Sequence, residues 1–199
     1  FLCPLKYEDK TLFLQNELKL NKGETDFDLD SYDISLKSKK ETIQEVIDLA
    51  SKKFKHLLVF CSTISQAEWL SQEFPSSAYV TSKSSAEERD NVINGFKNGD
   101  IKIVFNVGVL TTGFDFPALD CIILLRPTQS IALYYQMLGR GVRLSEGKEF
   151  CQVIDFTNTV AKLGRIETIE LQKINNKWEL ITETGSDWHG KELYTRKLK

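Results

Sequence analysis

The chain has 199 residues, enough for one α/β domain with a full core, and its 41% hydrophobic and 27% charged residues are ordinary for a globular protein. Its longest apolar runs are short, such as LLVF and CIILL, far from the roughly 18 residues that a membrane-spanning helix needs. A net charge of −2 gives no global attraction to a polyanion, so any nucleic-acid site must be local.

Residues 1–40 show weak periodicity and read as an entering arm. The chain starts at Phe1 and its only methionine is Met137, which leads us to expect a piece of a longer protein with a domain upstream. Within the arm, Asp26, Asp28 and Asp30 alternate as in a calcium loop. Ser31 stands where that loop needs glycine and Lys37 where it needs glutamate, so a solvated loop or edge strand is expected instead.

From residue 41 the pattern is regular. ETIQEVIDLASKKF has the apolar spacing of an amphipathic helix, with Ile43, Val46, Ile47, Ala50 and Phe54 on one face. HLLVFC reads as a strand, SQAEWLSQEF as a helix and SAYVT as a short strand. SSAEERDNVINGFKNG reads as a helix that Ser85 and Glu88 open as a capping box and Gly99 ends. KIVFNV is a strand, followed by the loop VLTTGFDFPALD and the strand CIILL. SIALYYQMLGRGVR then reads as a helix capped by Ser130, and FCQVIDF as the last core strand. Beyond 160, IETIELQKI and KWELIT form an expected hairpin turning at Asn175-Asn176, with a basic tail after it. Helices alternating with apolar strands predict an α/β fold with a mostly parallel sheet covered on both faces. Ligands of such sheets bind beyond the carboxyl ends of the strands, which directs attention to the loops after residues 61, 81, 106, 125 and 155.

The four cysteines, at 3, 61, 121 and 151, form no CxxC pair and lie mostly in apolar runs; they read as buried thiols of a cytoplasmic protein. His56 and His189 have no ligand spacing, and no metal site is expected.

The candidate chemistry lies in the loops and in one helix. Along SIALYYQMLGRGVR, a period of about 100° puts Gln136, Arg140 and Arg143 on one stripe. Ile131, Tyr134, Tyr135, Leu138 and Val142 fall on the opposite, buried face. Gly139 and Gly141 cost a helix about 1 kcal/mol each relative to alanine, but present no Cβ to an approaching backbone or phosphate. Arginine suits a phosphate because its forked guanidinium binds two oxygens at once. In VLTTGFDFPALD, Thr111 and Thr112 offer hydroxyls, Gly113 close approach, and Asp115 a carboxylate. Ser62 and Thr63 follow the first core strand, and Thr81 follows the next. These small hydroxyl residues suit a phosphate backbone contacted without reading its sequence. A phosphate cradle is missing: GVRLSEGKE has five residues between Gly141 and Gly147 where four are required, and Glu149 where Ser or Thr should stand.

Taken in order, these segments resemble the C-terminal motor domain of superfamily 2 helicases and translocases. LLVFCST looks like motif IV. AEERDNVINGFKNGDIKIVFNV is similar to the segment after it, with Arg89 and Phe96 at the family's usual places. VLTTGFDFPALDCIILLRPT looks like motif V, and QMLGRGVR matches the motif VI pattern Q-x-x-G-R-x-x-R. The wording is nearest to type I and type III restriction motor subunits and related bacterial DNA-repair helicases. The DEAD-box branch usually has histidine where Gln136 stands.

The resemblance covers roughly residues 41–160. Outside it, residues 1–40 read as an arm or linker and residues 161–199 as a C-terminal hairpin with a basic tail; within it, the resemblance implies a RecA-like three-layer domain. It also implies an ATP–Mg²⁺ site shared with a preceding RecA-like domain of the same polypeptide, which would hold most of the nucleotide. Arg140 and Arg143 would reach the γ-phosphate as fingers, with Gln136 at the same interface; this fragment alone would hydrolyse nothing. Gly113, Asp115 and Gly139 would face the nucleotide. Thr63, Ser62, Thr81, Thr111 and Thr112 would contact the nucleic acid, single-stranded or duplex DNA rather than RNA. The alternative reading is a non-hydrolysing RecA-like docking or strand-binding module.

Overall fold

The computed structural model describes residues 2–14, 17–110, 115–174, 177–181 and 196–197. Six strands, β1 (Leu5–Asp9), β2 (Leu57–Phe60), β3 (Ser77–Val80), β4 (Ile103–Asn106), β5 (Cys121–Leu124) and β6 (Cys151–Asp155), form one sheet in the order β1-β6-β5-β2-β4-β3. Every pairing in it is parallel. β2 and β5 are apolar along their whole length, and β4 up to its last residue, Asn106, because both faces are covered, as parallel sheets require. Alternate residues serve opposite layers. Leu58, Phe60, Val104, Ile122 and Val153 face a core built with α4 (Ala86–Asn98) and α5 (Ile131–Leu138). Leu57, Val59, Phe105, Ile123 and Ile154 face a second core built with α1 (Leu29–Lys37), α2 (Lys40–Lys53) and α3 (Ile64–Glu73). This is the three-layer RecA-like α/β arrangement.

The helix signals hold at several ends. Ser85 and Glu88 close the expected capping box, and Gly99 ends α4 at φ 86°, the left-handed conformation that glycine adopts without cost. Ser130 caps α5 by accepting from the Leu133 N–H.

The weakly periodic N-terminal segment supplies two elements. β1 lies at the sheet's edge, in register with β6 from Leu5 opposite Cys151 to Asp9 opposite Asp155. The aspartate-rich stretch is not a solvated loop: Phe27 and Tyr32 are buried, and Asp28 caps α1 by accepting from the Ser31 N–H. At the other end of the chain, a short α6 (Thr159–Leu163) is followed by the antiparallel hairpin of β7 (Glu170–Ile174) and β8 (Lys177–Ile181), with β9 (Arg196–Lys197) beside β8. The Asn175-Asn176 turn and most of the basic tail lie outside the described residues.

Candidate nucleotide and nucleic-acid site

The arginine-bearing helix is shorter than its sequence predicts. α5 stops at Leu138; Gly139 caps it, and residues 139–143 continue as turns and irregular chain. Arg140 and Arg143 therefore do not continue the helical stripe of Gln136. The buried face is also narrower: Tyr134 is fully buried and its hydroxyl donates to the Gly164 carbonyl at 2.7 Å, whereas Tyr135 is 53% exposed.

Gly141 explains why the chain leaves the helix with glycine. A Cβ there would lie 2.8 Å from Cys151 Sγ, 3.0 Å from Ile122 Cδ1 and 3.2 Å from Cys151 Cβ. The backbone runs directly on the first residue of β6 and the second of β5, so packing within the domain is enough to require a glycine here.

The turn gathers one group of candidates. Arg143 forms an ion pair with Asp115 through Nη1. Arg140 donates from Nε to the Gln136 carbonyl at 3.4 Å, at the negative end of the α5 dipole. Burial, and next the neighbouring Arg143 charge, lower the proton affinity of Arg140, while Asp115 raises it. Gln136, Gly139, Arg140, Arg143 and Asp115 thus form one cluster, even though Asp115 stands 28 residues from Arg143. The Asp115 side chain is 73% exposed, and ion pairs so solvated are worth about 0–1 kcal/mol. Asp115 therefore orients Arg143 without committing it.

The hydroxyl group of candidates lies elsewhere. α5 leads back from the carboxyl end of β5 to the amino end of β6, so the arginine turn sits at the amino ends of the strands. Ser62, Thr63 and Thr81 directly follow β2 and β3 at the carboxyl ends. Ser62, Thr63 and Thr81 thus lie at the carboxyl edge to which the sequence directs attention, whereas the arginine turn does not. Ser62 is buried and donates to the Leu125 carbonyl at 2.9 Å. Thr63 caps α3, accepting from the Gln66 N–H at 3.1 Å, and is hydrogen-bonded with Asp33 of α1. Thr81 is buried, accepts from the Lys83 N–H at 3.1 Å, and borders a cleft of about 670 Å³ between α3 and α4. All three hydroxyls are engaged in shaping strand ends. Thr111, Thr112 and Gly113 lie outside the described residues.

Between β4 and β5 the described chain touches both edges. It leaves the carboxyl end of β4, where the buried Asn106 side chain accepts from the Val109 and Leu110 N–H groups at 3.2 and 2.8 Å. It reaches the amino edge at Phe116, whose ring lies 4.7 Å from His56, just before β2.

Two contributors escape sequence reasoning. Asp26 accepts from Thr128 Oγ1 at 2.8 Å and the Gln129 N–H at 2.9 Å, fixing the turn that leads into α5. Lys148 donates to the carbonyls of Gly141, Arg143 and Pro117. No local pattern marks either, because each acts across more than one segment of the fold. The four thiols are all buried, and burial pushes the Cys151 thiol up to about 12.

Comparison with known proteins agrees with this architecture. The family model "Helicase conserved C-terminal domain" matches residues 38–145. The chain belongs to the helicase C-terminal domain family. A Saccharomyces cerevisiae protein assigned as the ATP-dependent helicase IRC3 is 51% identical over 78 residues, 39% of this chain and 11% of that protein. The ATP-dependent RNA helicase FAL1 of the same species is 28% identical over 142 residues, 69% of this chain and 35% of its own length. Among solved structures, a fragment assigned as the HsdR subunit of a type I restriction enzyme from Vibrio vulnificus superposes with a TM-score of 0.65 at 22% identity. The match covers 81% of this chain and 33% of that one. The chain thus matches about a third or less of the length of each of these proteins.

Proposed function

We propose that this domain is the second motor half of an ATP-dependent helicase or translocase that acts on DNA. In this reading a preceding RecA-like domain of the same polypeptide holds ATP and Mg²⁺, residues 1–40 lead in from it while supplying β1 and α1, and residues 161–199 carry an appended hairpin and tail beyond the end of α6. Bound nucleotide supplies the phosphoanhydride whose hydrolysis drives the cycle. This chain contributes Arg143 and Arg140, which stabilise negative charge developing on the phosphoryl group. Gln136, Gly139 and Asp115 line the same surface. Thr63, Thr81, Thr111 and Thr112 would contact a strand's phosphates, with Ser62 supporting the loop that bears Thr63.

The observation that carries this reading is the Arg143–Asp115 pair. Two segments that resemble motifs V and VI meet there, and the pair is solvated enough to exchange its carboxylate for a phosphate at little cost. Motif V, which in this reading meets both ligands, would let hydrolysis at the arginines alter the grip on the strand.

The test is ATP turnover by the full-length protein, with and without single-stranded DNA, duplex DNA and RNA. We expect DNA-stimulated hydrolysis that Arg143→Ala or Arg140→Ala abolishes. Undiminished turnover in both variants would sink the finger assignment, and stimulation by RNA alone would replace DNA as the substrate, in line with the name of FAL1.

A further inference from the structure

The backbone bonds that continue from α5 run only as far as the Gly141 N–H, which donates to Leu138 O at 2.9 Å, so beyond Gly141 other contacts must fix the arginine turn. Lys148 does much of this. Its ammonium donates to Gly141 O at 2.8 Å, Arg143 O at 3.0 Å and Pro117 O at 3.0 Å. A lysine ammonium has three N–H bonds, and three carbonyls accept them. Two of these carbonyls bracket Val142 within the arginine turn. The third belongs to a segment 31 residues away and follows Asp115 by two positions. The two partners of the exposed ion pair therefore hang from backbones tied to a single nitrogen. The Cys3 N–H adds a fourth tether, donating to Val142 O at 2.7 Å.

We propose that Lys148 is a positioning residue that holds the arginine turn and the Asp115–Pro117 segment in fixed relation, so that Arg143 meets the transferring phosphate in one orientation. The inference rests on the motor reading above. Buried partners do not supply this constraint: Arg143 and Asp115 are both substantially exposed, and their pair alone is too weak to hold two loops. Arginine cannot replace the lysine, because a planar fork does not aim three donors at carbonyls converging on one point.

The experiment uses the full-length protein with saturating DNA. Lys148→Met should lower kcat about 10- to 100-fold, the scale expected when a catalytic group is displaced by about an ångström. KM for ATP and the affinity for DNA without nucleotide should change less than about twofold, because the residue touches neither ligand. Lys148→Arg should resemble Lys148→Met. Lys148→Cys, as slow as Lys148→Met when purified, should regain most of its kcat when alkylated with 2-bromoethylamine, which rebuilds an ammonium on a side chain of lysine length; wild type treated alike is the reference. Wild-type kcat in Lys148→Met, an unrescued Lys148→Cys, or parallel losses of fold, KM and kcat would each overturn the positioning role. If instead wild type hydrolyses no ATP, or Arg143→Ala is fully active, the motor reading itself falls. Loss in Arg143→Ala with full activity in Lys148→Met refutes this inference alone.

Discussion

Replacing Gly141 by alanine tests whether the arginine turn is shaped by packing inside the domain. All three of the new methyl's nearest contacts fall below 3.4 Å, and the tightest, to Cys151 Sγ, is short of that by about 0.6 Å. None of the three atoms can give way easily. Cys151 and Ile122 are fully buried neighbours in the sheet, and Ile122 belongs to the core beneath α4 and α5. Overpacking of this kind costs about 1–3 kcal/mol, which corresponds to a fall in Tm of roughly 2–12 °C for a domain of this size. Cys151→Ala removes the 2.8 Å collision, leaving the weaker contacts at 3.0 and 3.2 Å. The double variant should therefore be more stable than the sum of the single effects predicts, with a coupling of about 0.5–3 kcal/mol. Urea unfolding of the four proteins measures this directly. A Gly141→Ala variant as stable as wild type, or one showing no coupling to Cys151→Ala, would refute the packing explanation and return the glycine to a role at a ligand surface.

Two further predictions concern the scaffold. Ser85→Ala should cost about 1 kcal/mol, because it removes the acceptor for the Glu88 N–H at 3.1 Å and leaves half of the capping box unmade; urea unfolding reads it. His56 should give the domain an acid-sensitive limb. Burial lowers its pKa in the fold, with Asp120 acting the other way. Around and below the ordinary value of 6.5 the unfolded chain takes up the proton more readily than the folded one, so stability should fall as pH drops through that value and level off below the folded pKa. A His56→Phe variant should lose that limb when stability is followed from pH 7.5 to 5; an unchanged profile would show that other groups cause it.

What the sequence determined by itself was local or periodic. Ile43, Ile47 and Ala50 share a helix face whatever surrounds them, and Ser85 with Glu88 makes a capping box from residues three apart. The apolar runs LLVF and CIIL signalled strands buried on both faces, and their alternation with helices forced parallel pairing. The motif order was equally legible, since it is a linear property. Tertiary structure decided what depends on distant residues. β1 became a strand because β6 offered it an open edge, which LKYED does not announce. α5 ended at Leu138 because the next residues must pass against Cys151 and Ile122, and a helical period cannot register that obstacle. Asp115 and Arg143, 28 residues apart, became partners only when the sheet brought their loops to the same edge. The same topology parted the arginines from Thr63 and Thr81, because a helix returning along a parallel sheet delivers its carboxyl end to the strands' amino ends.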